Sequence, residues 1–258
     1  MAIAFVAAGG KAASSASTFV KPLLPAMQSN DIAILVASCR QGASSTLAVT
    51  DGGSIGTWNA ITGSPQNPNS DSKLYAWWGR YTSGTTEPTV TRTNGSCICA
   101  DIAAYRGCST AVNPINNQAS GTAVASTALS FNTGISTTKN NCMVLLLNST
   151  GADSNVAQLG SQANANLSAI AERVDDCTNL GPGGGIAITE GFLASSGAIG
   201  TWTATYVTST GQGIICAALA PKEGWTNIAK VSNVAASAIG KICGAAASAI
   251  GKIDGKAV

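Results

Sequence analysis

The stretch WTATYVTS at residues 202–209 decides the fold class, because its side chains alternate with a period of two. In an extended chain Trp202, Ala204 and Tyr206 fall on one face, and the intervening threonines fall on the other. Alternation of this kind predicts a β-strand with one buried face. The rest of the chain contains further segments of the same type.

Short apolar or alternating runs recur between turn-forming Gly, Asn, Asp, Ser and Pro residues. They cover residues 2–8, 31–39, 74–81, 97–106, 127–131, 141–148, 185–193 and 213–220. Continuous runs such as Ile32 to Val36 suit strands that are covered on both faces. The pattern predicts an all-β fold, an antiparallel two-sheet sandwich of the jelly-roll type, followed by a short repetitive β tail. Only the segment 163–174 has the pattern of a short helix.

Composition excludes several classes of function. Charged residues make up 10% of the chain and apolar residues 45%, a balance that argues against disorder. The net charge is +2 and basic residues form no block, so we expect no nucleic-acid partner. The chain contains no histidine, which removes imidazole-dependent catalysis and His-ligated zinc. We therefore predict no catalytic residue, no metal and no cofactor.

The eight cysteines predict a chain that folds in a reducing compartment. None forms a C-x-x-C pair, and most lie in or beside apolar runs, where a free thiol behaves as a small hydrophobe. Cys97 and Cys99 have strand spacing, which places both thiols on one face. The apolar N-terminal run is too short to cross a membrane, so we expect no membrane insertion.

The C-terminal residues form a repeat with a period of eleven. KVSNVAASAIG at 230–240 is followed by KICGAAASAIG at 241–251 and by the partial copy KIDGKAV at 252–258. A repeated unit of this size buries its apolar residues only against neighbouring copies or other chains. We therefore expect a sandwich domain over 1–223 and an assembly or docking segment over 224–258.

The repeat can be interpreted as β-strands or as a helix. An eleven-residue period suits a right-handed coiled coil, but glycines inside it each cost about 1 kcal/mol in a helix. The β interpretation, which we favour, places turns at Ser232-Asn233, Cys243-Gly244 and Asp254-Gly255. The predicted oligomerisation or docking residues are Val231, Ile239, Ile242, Ile250 and Ile253.

The order of motifs resembles a family of bacteriophage and prophage virion proteins. The motifs are MAIAFV at the start, DIAILVAS at 31–38, GTWNAI at 56–61, LYAWWGRY at 74–81, TTEPTVTRT at 85–93, AAYRG at 103–107 and IICAALAP at 214–221. The tail is similar to the AKVNGVAAS repeats that close many phage structural proteins, although Ser232-Asn233 and Cys243-Gly244 stand where Asn-Gly is common. The resemblance covers nearly the whole chain.

The resemblance implies a non-enzymatic structural role in a virion that is assembled in the host bacterial cytoplasm. The repeat favours a tail-fibre or tail-appendage component that forms a homo-oligomer, with a trimer expected, and contacts other virion proteins. A capsid decoration protein is the alternative, since the sandwich begins at Met1 without a separate attachment domain.

A carbohydrate-binding adhesion module is a further alternative, with a host surface glycan as its partner. Sugar rings stack on exposed aromatic faces, and the candidate contacts are Trp58, Trp78 and Trp225. Trp77 and Trp78 point to opposite faces of one strand, so only one is in a core unless both faces are covered. Asp175 and Asp176 are weak candidates for a Ca²⁺ loop, because no ligand spacing of a known loop surrounds them.

Overall fold

The computed structural model describes residues 2–40, 44–50, 52–68 and 72–223, together with four two-residue strands of the tail. The chain divides into two compact units, Ala2–Lys222 and a second unit over Glu223–Val258. The first unit, which we call the body, contains fifteen strands and no helix among its described residues. All the pairings between its strands are antiparallel.

The first half of the body is a sandwich of a main sheet and a covering sheet. Its strands are β1 (Ala4–Ala8), β2 (Ala12–Ser14), β3 (Phe19–Val20), β4 (Ile32–Arg40), β5 (Thr46–Thr50), β6 (Ile55–Ala60), β7 (Ser72–Tyr81), β8 (Thr89–Thr93) and β9 (Cys97–Arg106). The main sheet has the order β1-β9-β4-β7-β6, with β2 also on β9, and the covering sheet has the order β3-β8-β5. The chain passes repeatedly between the two sheets, as in a jelly roll.

The second half repeats this arrangement. Its strands are β10 (Ile115–Asn132), β11 (Cys142–Thr150), β12 (Leu159–Ala163), β13 (Ser168–Thr178), β14 (Gly184–Leu193) and β15 (Thr201–Leu219). The main sheet has the order β10-β15-β11-β14-β13. The long strands β10 and β15 shift register midway, and their outer parts pair with each other and with β12 as the covering layer. With β10 in the place of β1, β2 and β3, and β15 in the place of β8 and β9, the two halves have the same topology.

Individual residues support this equivalence. A Cβ on Gly79 would meet Ile55 and Trp58, and a Cβ on Gly191 would meet Leu167 and Ile170, so each glycine accommodates two side chains three positions apart. The three positions of the second set follow those of the first at one constant offset in the sequence. Asn30 and Asn141, which precede β4 and β11, both have positive φ values, of 75° and 58°. The body is therefore an internal duplication of one sandwich.

Three apolar cores hold the layers together. The central core lies between the two main sheets and includes Ile34 and Val36 from β4 and Leu145 and Leu147 from β11. A second core, around Leu35 and Ile102, fills the sandwich of the first half, and a third, around Leu146 and Trp202, fills that of the second. Each main sheet is thus covered on both faces, which explains the continuous apolar runs in its strands.

The structure confirms the all-β antiparallel sandwich and corrects two details. The body contains two sandwiches packed through their main sheets, where the sequence predicted a single one. The helix expected over 163–174 is wrong, since β12 ends at Ala163 and β13 runs over Ser168–Thr178. Register shifts between Ser168 and Ala171, and between Glu172 and Val174, disturb the side-chain alternation. They give the apolar residues Leu167, Ile170 and Val174 the spacing of a helix.

Candidate functional site

The C-terminal repeat forms two short hairpins with the same spacing as the sequence period. Strand β16 (Lys241–Ile242) pairs with β17 (Ala245–Ala246), and β18 (Lys252–Ile253) pairs with β19 (Lys256–Ala257). Two residues separate the strands of each hairpin, and the turns predicted there, at Cys243-Gly244 and Asp254-Gly255, lie outside the described residues. Corresponding strands begin at Lys241 and Lys252, eleven positions apart, so each hairpin is one repeat unit.

Two of the five predicted assembly residues lie on these strands. Ile242 ends β16 and Ile253 ends β18, at equivalent positions of the two hairpins. Val231, Ile239 and Ile250 lie outside the described residues. The first copy of the repeat, at 230–240, lies there as well.

The aromatic candidates for glycan contact are mostly buried. Trp77 and Trp78 are only 7% and 8% exposed, because both faces of the main sheet are covered. Trp78 belongs to the central core, so the expectation that it contacts a glycan is not compatible with its position. Trp58 is half-buried against the core of the first half, and Trp225 lies outside the described residues. The described body presents no row of exposed tryptophans.

A line of contacts, which we call the seam, joins β1, the connection between β1 and β2, and β9 of the first half to β13 of the second half. At one end the Arg173 guanidinium lies 4.5 Å from the centre of the Phe5 ring, and its Nη2 lies 2.6 Å from Oε1 of Glu190. Burial, followed by the nearby charge of Glu190, raises the pKa of Tyr105 well above its ordinary value. Phe5 and Tyr105 pack edge to face, with ring centres 5.9 Å apart. The cation–π contact of Arg173 with Phe5 is the one of these that joins the two halves, and the ion pair and the ring pair hold its two partners in place.

Two carboxyl groups meet further along the seam. Asp101 on β9 is 2% exposed, and its Oδ1 accepts hydrogen bonds from the backbone N–H groups of Gly10 and Ile102 at 2.8 and 2.6 Å. Asp176 on β13 lies beside Asp101, within reach of a side-chain hydrogen bond, and its backbone oxygen lies 3.6 Å from Sγ of Cys99 on β9. Burial, and secondarily the neighbouring Asp176, raise the pKa of Asp101 to about 7. A hydrogen bond between two carboxyl groups requires a proton on one of them.

Asp175 points to the other side of β13 from Asp176, away from the seam. Its Oδ2 accepts hydrogen bonds from the backbone N–H groups of Gln158 and Leu159, at 2.8 and 2.7 Å. Burial, as the main cause, raises the pKa of Asp175 to about 6. The two aspartates therefore lie on a strand and face apart, so the expectation that they lie in a loop is wrong, and with it the weak Ca²⁺ candidate. The described residues contain no cluster of metal-ligating side chains.

The described cysteines are free and buried, as small hydrophobes would be. They are Cys39, Cys97, Cys99, Cys108, Cys142, Cys177 and Cys216. Burial raises the pKa of the Cys39 thiol to about 11 and that of the Cys216 thiol to about 12. Protonated thiols of this kind are poor nucleophiles and poor metal ligands.

The Asp101 carboxyl is buried and lies beside Asp176 instead of across a cleft from it. A glycosidase holds its two carboxyl groups about 5–10 Å apart around a sugar, a separation that this pair does not have. Asp101 was not among the predicted site residues, although a single carboxylate inside the apolar run CICADIAAYR is a signal. On a strand that is covered on both sides, a carboxyl group either pairs with a partner or takes up a proton.

Comparison with protein-family models, with curated proteins and with solved structures found no match. Among the described residues, no helix is long and apolar enough to span a bilayer.

Proposed function

We propose that the chain is a non-enzymatic structural protein on the exterior of a bacteriophage particle. In this proposal it is a tail-fibre or tail-appendage component, and it self-associates through its C-terminal repeat. The observation that carries the proposal is the pair of hairpins that recur with the eleven-residue period of the sequence.

Such hairpins need a partner. A two-stranded hairpin is marginally stable in water at best, and strands of two residues offer little pairing of their own. The repeat places a β-branched residue next to each of the three lysines that open a copy, at Val231, Ile242 and Ile253. Each such side chain contributes about 1.5–3 kcal/mol when it is fully buried, so several buried together favour association.

The composition and the motif order support the same class of protein. The chain lacks histidine, so it has few side chains suited to acid–base catalysis. Its net charge of +2 provides no attraction for nucleic acid. The order of its motifs resembles that of phage virion proteins, as described above. The body consists of two packed β-sandwiches, and each main sheet is covered on both faces. This architecture suits a protein that holds its shape as part of a particle.

The test compares the molar mass in solution of the full chain with that of a chain that stops at Glu223. We expect an oligomer, with a trimer favoured, that becomes a monomer on truncation. A double variant, Ile242→Asn with Ile253→Asn, should also dissociate the oligomer. The matched control, Lys241→Asn with Lys252→Asn, changes the preceding positions of the same strands and should leave the oligomer intact.

Monomers for both the full and the truncated chain would refute self-association. The repeat would then be a docking peptide for another virion protein, and capsid decoration would become the better proposal. Oligomers that survive truncation would place the assembly surface on the body instead of the repeat.

A further inference from the structure

The internal duplication allows the two sides of the central interface to be compared. In the first half Asp101 lies opposite Val36, and in the second half Ile215 lies opposite Leu147. Asp176 lies opposite Ile186, and Gln66 lies opposite Leu74. Val36 and Leu147 occupy equivalent positions in the two halves, so Ile215 is the counterpart of Asp101. Leu74 and Ile186 are likewise equivalent, so Gln66 is the counterpart of Asp176. The equivalent place on the other side of the central interface is therefore formed without carboxyl groups.

The pair lies among few charged groups. Lys11, in the connection between β1 and β2, donates its Nζ proton to the backbone carbonyl of Cys177 at 2.6 Å. On β9 the neighbouring Cys99 thiol is buried, and its Sγ lies 3.6 Å from the backbone oxygen of Asp176. Asp175 and Cys177 are on the opposite face of β13. Within the described residues neither carboxylate of the pair has an ion-pair partner.

We propose that Asp101 and Asp176 form a proton-dependent latch that holds the two halves of the body together along the seam. With one shared proton the pair is a hydrogen bond between β9 and β13. Without that proton two carboxylates face each other in a largely buried place, and their repulsion separates β13 from β9. The opposite side of the interface, with Gln66 and Ile215, stays closed at either protonation state.

The working range of the latch follows from the position of Asp101. Burial and the adjacent Asp176 raise its pKa to about 7, well above the usual value for aspartate. Between about pH 4 and pH 7 the folded chain therefore holds a proton that the unfolded chain has lost. The stabilisation is complete below that window, declines as the pH rises through it, and is lost above about pH 7.

Hydrogen exchange of the full chain provides the test, read by mass spectrometry at pH 6.0 and pH 8.5 and corrected for intrinsic exchange. In peptides that cover 9–13 and 168–178, we expect the protection factor to fall about tenfold or more at the higher pH. Each pH unit above the pKa of Asp101 lowers its ratio of protonated to ionised form about tenfold. Peptides that cover 61–68 and 212–219, on the opposite side, should keep their protection.

Three variants identify the groups responsible. Asp101→Asn keeps an acceptor for Gly10 and a permanent donor for Asp176, so its seam should be protected equally at both pH values. Asp176→Asn should behave in the same way, and it leaves the backbone hydrogen bonds of Asp101 intact if the first variant does not fold. Asp175→Asn is the matched control, since its side chain faces away, and should keep the wild-type response.

Two results would overturn the latch. One is a loss of protection in Asp101→Asn and Asp176→Asn that equals that of the wild type. The other is an equal loss on both sides of the interface, which would indicate general loosening of the body.

Discussion

At the scale of single residues, the pair Arg173 and Glu190 carries the sharpest energetic consequence. The side chain of Glu190 is 3% exposed and that of Arg173 is 32% exposed, so the carboxylate depends on the guanidinium while the guanidinium still reaches water. We expect Arg173→Met to lower the free energy of unfolding by about 3–5 kcal/mol, because it leaves a buried charge without a partner. Urea denaturation of the variant and the wild type at pH 7 measures this difference.

The duplication supplies the control for that prediction. Glu190 precedes Gly191, and its counterpart in the first half is Trp78, which precedes Gly79 and lies in the same central core. An apolar side chain is therefore tolerated at this place. The double variant Arg173→Met with Glu190→Met should recover most of the lost stability. A double variant as unstable as Arg173→Met alone would show that the charge of Glu190 is not the cause.

At the scale of strands, the equivalent glycines of β7 and β14 predict a ranked series of effects. A Cβ at Gly79 would lie 2.2 Å from Cγ2 of Ile55, and one at Gly191 would lie 2.9 Å from Cδ1 of Leu167. Overpacking of this kind costs about 1–3 kcal/mol, and the flexible end of a leucine yields more easily. Thermal denaturation should find Gly79→Ala the less stable of the two. Gly160→Ala, whose Cβ would lie 3.5 Å from Thr205, should be close to wild type, and the reverse order would contradict this packing.

Strands are also the scale at which the sequence was most informative. Alternation at 202–209 and continuous apolar runs at β4 and β11 predicted strands where the structure has them. Prediction failed on β13, where register shifts give apolar residues a helical spacing, and on β6, which none of the predicted runs covers. It also failed at Asp101, because the sequence shows a carboxylate in a strand without showing what the opposite sheet places against it.

At the scale of the whole molecule, the duplication was not apparent from the sequence. The two halves share topology and a few positions such as Gly79 and Gly191, but their core side chains differ in type. Packing conserves volume and pattern and tolerates many apolar combinations, so two copies of a fold can have little in common as sequences. Only the pairing of strands, which is long-range information, makes the two copies visible.

The same architecture predicts how the body unfolds. The central core takes residues from both main sheets, so neither half can bury that face without the other. We therefore expect one cooperative transition, with equal calorimetric and van't Hoff enthalpies near pH 6, where the latch is closed. Gly79→Ala, in the first half, and Gly191→Ala, in the second, should each shift that single transition as a whole. Two resolved transitions, with each variant moving only one of them, would show that the halves are independent domains and that the central core contributes little to the stability of either.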